Sequence, residues 1–308
     1  MNRINITRLT EFILVGFSDD LKVQIGLFAA FSTSYIITII GNILLVTLTL
    51  YVAALKTPMY VFLRNLSLLD LCFSTVTVPK MLSCLLAEKK SISVVGCFVQ
   101  LYFFHFLGSA ECFLLTVMSF DRYVAICFPL RYTQVMNTHV CRRLAFASWI
   151  SGFLYPIGHT LLVASLSYCA SNKVNHFFCD LPPLLELSCS DSTFAVLEIL
   201  LVGGLVAWGT FLLTLTSYVC IIIAILKIRS VEGRKKAFST CASHLTVVSI
   251  FFGTIVFMYI RPKSSYSLNH DKLISVMYNI LTPMLNPMIY SLRNKDVKKA
   301  LKKLFKLF

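Results

Sequence analysis

Seven long apolar stretches divide the chain. Five run for 20 or more residues without Asp, Glu, Lys or Arg: Val23–Leu55, Leu144–Asn172, Ile199–Leu226, Ala237–Ile260 and Leu273–Leu292. Two more carry isolated charges. Thr57–Ala87 holds Arg64, Asp70 and Lys80, and Ser91–Cys127 holds Glu111, Asp121 and Arg122. About 20 residues at roughly 1.5 Å each cross a hydrocarbon core about 30 Å thick. A water-soluble helix keeps a charged face, and these windows lack one. The pattern therefore predicts an all-α, seven-transmembrane helix bundle. Beyond Arg293, Val297, Leu301, Leu304, Phe305 and Phe308 recur at helical spacing among Lys298, Lys299, Lys302, Lys303 and Lys306. This predicts a short amphipathic helix on an anionic leaflet, in preference to a frayed tail. No internal repeat or low-complexity linker divides 1–308, so it reads as one domain.

Composition agrees with the pattern. Hydrophobic residues make up 57% of the chain and charged residues 14%, against about 25% charged in an average soluble domain. An apolar fraction this high excludes disorder. The net charge of +14 is a topological signal and not a nucleic-acid footprint. The N-terminus and the connections after spans two, four and six carry ten Lys and Arg, and the opposite side carries eighteen. The richer side is expected to be cytoplasmic. That puts residues 1–22 outside and leaves 294–308 as a cytoplasmic tail. Met1–Lys22 is too polar for a signal-peptide core, so the first span is expected to direct insertion. Asn5-Ile6-Thr7 is a glycosylation sequon on the outer side. Asn65-Leu66-Ser67 also matches, but at the cytoplasmic end of span two, where it reads as chance.

Charged groups within spans are costly and mark candidate sites. Asp70 and Glu111 sit mid-span, and Asn42 and Asn286 reach the same depth. They suit either a hydrogen-bond network with protonated carboxylates or a hard-cation site of the sodium type. No other cofactor is expected. Asp121-Arg122-Tyr123 ends span three as snorkelling charge or as a latch that breaks on activation. Pro283 and Pro287 interrupt span seven, where Asn286 and Tyr290 are suited to compensate the freed carbonyls. Of the eleven Cys, Cys97, Cys169, Cys179 and Cys189 lie on the outer side, where oxidation is allowed. Four Cys admit three pairings and spacing does not choose among them. Cys84 is expected to stay reduced.

At these residues the chain resembles an odorant receptor of the rhodopsin-like G-protein-coupled class, from about Glu11 to about Leu301. The resemblance is carried by Gly41-Asn42, by Pro58-Met59-Tyr60-Val61-Phe62-Leu63 leading to Asp70, and by Met118-Ser119-Phe120-Asp121-Arg122-Tyr123-Val124-Ala125-Ile126-Cys127. It continues through Ser217-Tyr218, Lys236-Ala237-Phe238-Ser239-Thr240-Cys241-Ala242-Ser243-His244-Leu245 and Pro283-Met284-Leu285-Asn286-Pro287-Met288-Ile289-Tyr290. Arg261-Pro262-Lys263-Ser264-Ser265-Tyr266 resembles the tetrapod-type branch. Three departures stand out: Ser119-Phe120 where Ala-Tyr is usual, Phe251-Phe252-Gly253 where Phe-Tyr-Gly is usual, and Phe128 and Arg131 in the inner loop. The resemblance implies the pairings Cys97–Cys179 and Cys169–Cys189, and a sodium-type pocket at Asp70 and Glu111. It implies an activation and G-protein face at Asp121, Arg122, Tyr123, Tyr218, His244, Asn286, Pro287 and Tyr290. The implied partner is a stimulatory, olfactory-type G protein that raises cyclic AMP. The implied location is the plasma membrane, in the cilia of olfactory sensory neurons.

Spacing places a ligand pocket in the outer half of the bundle. Phe104, His105, Gly108, Ser109 and Cys112 share one face of span three. Phe252, Ile255, Val256 and Tyr259 share one face of span six. Val206 and Asn279 fall at similar depth. Apolar walls with a few polar handles suit a small volatile ligand. For Phe104 and Val206, core packing is the competing reading. His105 with Cys112 supplies two soft-metal ligands, and two do not make a site. Other functions are weaker. A transporter would show inverted repeats, and a retinal-linked pump needs a Lys buried in a span, where span seven offers Lys272 at its outer edge. No Gly-x-Ser-x-Gly or His-Glu-x-x-His pattern supports an enzyme, and the inner loops leave no room for a catalytic domain.

Overall fold

The computed structural model describes residues 9–305 apart from 19, 170, 260–267 and 294. Side chains are not described at 54, 236, 240, 256–259, 268–271, 291–293, 295–296 and 303–305. The seven helical spans follow the apolar stretches, and spans one, four, five, six and seven begin a few residues ahead of them. Spans one to three are Leu21–Tyr51, Pro58–Leu86 and Val94–Cys127. Span four is Thr138–Leu154 continued by Ile157–Ala164. Span five joins Thr193–Glu198, a π-helical turn Ile199–Gly203 and Gly204–Leu226. Span six is Val231–Tyr259. Span seven joins Leu268–Val276, a second π-helical turn Met277–Leu281 and Thr282–Arg293.

Capping residues fix three of the starts. The first charged residue ends a charge-free window, but a helix starts where a side chain accepts from its free amides. Asp20 accepts from Lys22 N, Ser93 from Gly96 N and Asn137 from Val140 N. Arg142 and Arg143 thus belong to span four and Glu198 to span five, where the charge pattern had left them in connections.

Span three runs through the bundle with Leu101, Leu107, Ala110, Leu114 and Leu115 buried. Its closest neighbour is span four. A Cβ on Gly152 would lie 2.6 Å from Ala110 N and Cβ, so only glycine fits. Pro156 cannot donate to the carbonyl of Gly152, and Ser109 Oγ of span three donates to it instead, at 3.2 Å. In span seven, Pro287 likewise leaves the carbonyl of Pro283 free. Asn42 Nδ2 of span one supplies that bond at 3.1 Å, not Asn286 or Tyr290.

The helical bundle carries one small addition. A three-stranded sheet of order β2-β1-β3 lies at the N-terminal end of the bundle. β1 (Glu11–Leu14) pairs antiparallel with β2 (Ser91–Ser93) and parallel with β3 (Lys173–Val174). Alternation along β1 buries Phe12 and Leu14 against Cys97, Leu101, Cys179 and Leu184. Glu11 pairs with Lys89. Strands of two to four residues leave little periodicity, and their partners are distant in sequence. Cys97–Cys179 and Cys169–Cys189 are disulfide-bonded, with Cα separations of 5.5 and 6.0 Å. Cys84 is free and buried.

The opposite, basic end carries the amphipathic helix, Lys295–Phe305. Its apolar side packs on the bundle through Val297, Ala300 and Leu301, leaving Lys298, Lys299 and Lys302 exposed. Phe308 and Lys306 lie outside the described residues, as do Asn5 and 261–266.

Candidate functional site

Packing between spans three to seven leaves a cavity of about 260 Å³. Phe104, His105, Gly108, Ser109 and Cys112 line it from span three, Val206 from span five, and Phe252 and Ile255 from span six. The side chains of Val256 and Tyr259 lie outside those described. Asn279 is not on the wall. It is fully buried, with neither its amide oxygen nor its amide nitrogen partnered. Span seven presents Tyr278 in its place. The expectation for Asn279 rests on depth alone, and the π-helical turn Met277–Leu281 adds a residue to one helical turn and so changes which side chain faces inward.

Sequence spacing missed Phe73 of span two, Tyr155 of span four, Leu181 of the long loop, and Trp208, Phe211 and Phe251. The adjacent Gly203 and Gly204, which also line the cavity, were the available signal: two missing side chains thin the wall of an otherwise bulky helix.

The polar groups on the wall are not equivalent. Ser109 Oγ donates to backbone carbonyls, including His105 O at 2.7 Å. His105 Nδ1 lies 3.3 Å from Leu101 O, which requires the proton on Nδ1. Nε2 is then an acceptor, and it has no partner. Behind it the ring of His159 stands 5.0 Å away, and His159 Nδ1 lies 3.9 Å from Glu198 Oε2. Neither His159 nor Glu198 was singled out from the sequence. Among the described residues no group of three His, Cys, Asp or Glu gathers as metal ligands.

The loop bearing Cys179 covers this end. His176 Nδ1 accepts from Phe178 N at 3.4 Å, so Nε2 carries the proton toward Ser275 Oγ at 3.2 Å. Burial, with the nearby Lys272 charge, lowers His176 to about 3.

Deeper in the bundle, Asn286 Nδ2 lies 3.1 Å from both Asp70 oxygens. Glu111 Oε1 and Asn42 Oδ1 are buried without partners. At the basic end Arg122 pairs with the adjacent Asp121, and Tyr132 OH donates to Asp121 Oδ1 at 2.9 Å. Burial and the Asp121 charge push the Tyr132 phenol up. Tyr218 OH meets His244 Nδ1 at 2.5 Å, and Tyr123 packs on the cluster around Tyr218. Tyr290 is buried with its hydroxyl unpartnered. A Cβ on Gly41 would lie 3.1 Å from Pro287, so spans one and seven are in close contact there.

A family model described as olfactory receptor matches residues 31–307. The chain belongs to the olfactory receptor family. It is 51% identical to Olfactory receptor 5T17 of Mus musculus, with 98% of this chain and 93% of that protein covered. It is 50% identical to Olfactory receptor 10A7 of Homo sapiens, with 97% and 95% covered. It is 52% identical to Olfactory receptor 5AP2 of Mus musculus, with the same coverage. The protein is therefore a multi-pass membrane protein with a seven-helix receptor bundle.

Its departures from the usual family pattern can now be placed. Phe252 lines the cavity and packs against Phe211 and Phe251, with ring centroids 5.7 and 5.5 Å away. No hydroxyl is offered at that point. Ser119 is buried and donates to Leu115 O. Phe120 and Phe128 point largely outward, 42% and 45% exposed. None of these enters the Asp121–Arg122–Tyr132 contacts.

Proposed function

We propose that this protein is an odorant receptor. Its cavity takes a small, volatile, mostly apolar molecule, and its basic end drives a stimulatory, olfactory-type G protein that raises cyclic AMP. The observation that carries this reading is the 260 Å³ cavity, with largely aromatic and aliphatic walls and the His105 ring among its few polar residues, in a chain of this family. Such a cavity encloses a small ligand and orients it through few polar contacts. We read the protein as one receptor unit and not as an enzyme.

A ligand activates only through different affinity for two states. The contacts available to distinguish them are Asp121–Arg122–Tyr132 and Tyr218–His244, with Tyr123, Asn286, Pro287 and Tyr290 on the same path. Eighteen basic residues against ten support a cytoplasmic basic end and an extracellular N-terminus, where Asn5 would be glycosylated. The plasma membrane of olfactory cilia is the corresponding location. Asp70 and Glu111 would hold a sodium ion. The donor set fits, because Glu111 Oε1 is an orphaned buried oxygen beside a second carboxylate. The ion would supply positive charge between the two acids.

The test is cyclic-AMP output in cells against an odorant panel. A dose-dependent response is expected, and Arg122→Ala should abolish it. His105→Phe should change which odorants activate the receptor, because the His105 ring forms part of the cavity wall. A response untouched by Arg122→Ala would remove the latch role. Loss of every odorant response in a correctly delivered receptor would remove the reading itself.

A further inference from the structure

A second cavity lies at the basic end, far from the first in the chain's topology. Its volume is about 280 Å³, and it opens where the end of span one, the start of span two and the start of span four meet. Three cations line it: Lys56, Arg64 and Arg142. Thr49, Thr57 and Thr138 add hydroxyls, and among the described residues no carboxylate is on its wall. Among the described residues, none of the three cations makes an ion pair or a side-chain hydrogen bond.

Lys56 and Arg142 are exposed and Arg64 is half-buried, and an anion seated among them would offset the mutual repulsion of three like charges in one concave place. The backbone favours the same sign of occupant. Span two begins at Pro58 and span four at Thr138, so two long helices turn their N-termini to this cavity. A helix N-terminus carries a partial positive charge. Guanidinium groups add planar forks that fit phosphate oxygens. Three cations call for more charge than a single phosphodiester supplies.

The surroundings indicate a lipid. At the rim, Leu50 and Tyr51 are 45% and 81% exposed, and Phe146 and Ile150 continue an exposed apolar surface along span four. Aromatic residues of this kind mark the headgroup level of a bilayer, and acyl chains would lie along the apolar surface below. Basic pockets between spans on the cytoplasmic side hold polyanionic lipid headgroups.

We propose that this cavity binds the phosphomonoester-bearing headgroup of a membrane lipid, with Arg64 and Arg142 gripping phosphate and Lys56 closing over it. The site is independent of the odorant cavity and rests on a basic end that faces the anionic leaflet.

The test uses the purified full chain in phosphatidylcholine nanodiscs, with phosphatidylinositol bisphosphate as probe and lipid retention read by native mass spectrometry. Retention is expected to exceed that of phosphatidylserine. Combined Arg64→Gln and Arg142→Gln should lower the affinity by about 10-fold or more. Arg64→Lys with Arg142→Lys, which keeps the charge, should keep most of it. Replacing Lys298, Lys299 and Lys302 by Gln should have the smaller effect. Unchanged retention in the Gln pair, or complete loss through the tail changes alone, would overturn the site. Equal competition by soluble inositol trisphosphate would overturn the lipid as its source. Thermal denaturation of each variant separates loss of binding from loss of fold.

Discussion

The two halves of span three are built in different ways. Toward the disulfide end the helix is tied by Cys97–Cys179. Gln100 donates to Val76 O and accepts from Cys179 N, at 2.9 and 3.0 Å. This half faces a void through His105, Gly108 and Cys112. Toward the basic end Leu114, Leu115 and Met118 fill the core, and the helix finishes in the Asp121–Arg122 pair with Tyr132. Glu111 marks the seam. The difference separates shape from motion. Covalent and backbone-directed ties hold the half that must keep a cavity open. Side-chain hydrogen bonds, each worth about 0.5–3 kcal/mol, hold the half that a ligand's differential affinity can rearrange.

The most direct way to break this contrast is at the close contact between spans three and four. Gly152→Val would drive a branched side chain into the Ala110 backbone. Overpacking of this kind costs about 1–3 kcal/mol or more, and surface delivery of the receptor should fall severely. Normal delivery and odorant response would show that span four can shift without harm to the cavity.

A smaller effect is expected at the switchable half. Tyr132→Phe removes the bond to Asp121 Oδ1 and leaves the Arg122 pair in place. Basal cyclic AMP should rise a few-fold, corresponding to about 1 kcal/mol, with odorant selectivity unchanged. A change in selectivity with no change in basal output would assign Tyr132 to the wrong half.

The smallest effect probes the rigid half through pH. His176 is buried, and its folded value is lowered from 6.5 to about 3. The unfolded imidazole therefore takes up a proton first. The lid's contribution is complete above pH 6.5 and declines as pH falls from there toward 3. Thermal stability should drop by a few degrees between pH 7.5 and 5.5, and His176→Gln should flatten that slope. An identical slope in the variant would place the acid sensitivity elsewhere.

Much of the candidate site was legible in the sequence because helical spacing converts directly into shared faces. His105, Ser109 and Cys112 line one cavity for that reason, as do Phe252 and Ile255. The reading failed where the helix is not regular. Asn279 lies in a π-helical turn, and its neighbour Tyr278 meets the cavity instead. It also failed where the partner is remote. His159 and Glu198 come from different spans, and only packing brings His159 beside His105 and Glu198. Asn286 was expected to compensate a proline break, yet it goes to Asp70, while Asn42 takes the carbonyl. Residue type announced a polar partner at each point and left its identity open.

By itself, then, the sequence determined the seven spans, the basic end and the family, along with helix faces that line the candidate cavity. Burial of apolar runs and placement of charge are properties of composition and order, and they act span by span. The tertiary structure alone decided the β1–β2–β3 sheet at the lid, the pairing of orphaned carbonyls with distant side chains, the cavity's far wall, and the gathering of Lys56, Arg64 and Arg142. Each of these depends on how helices meet across the bundle, at distances that neither local periodicity nor local charge encodes.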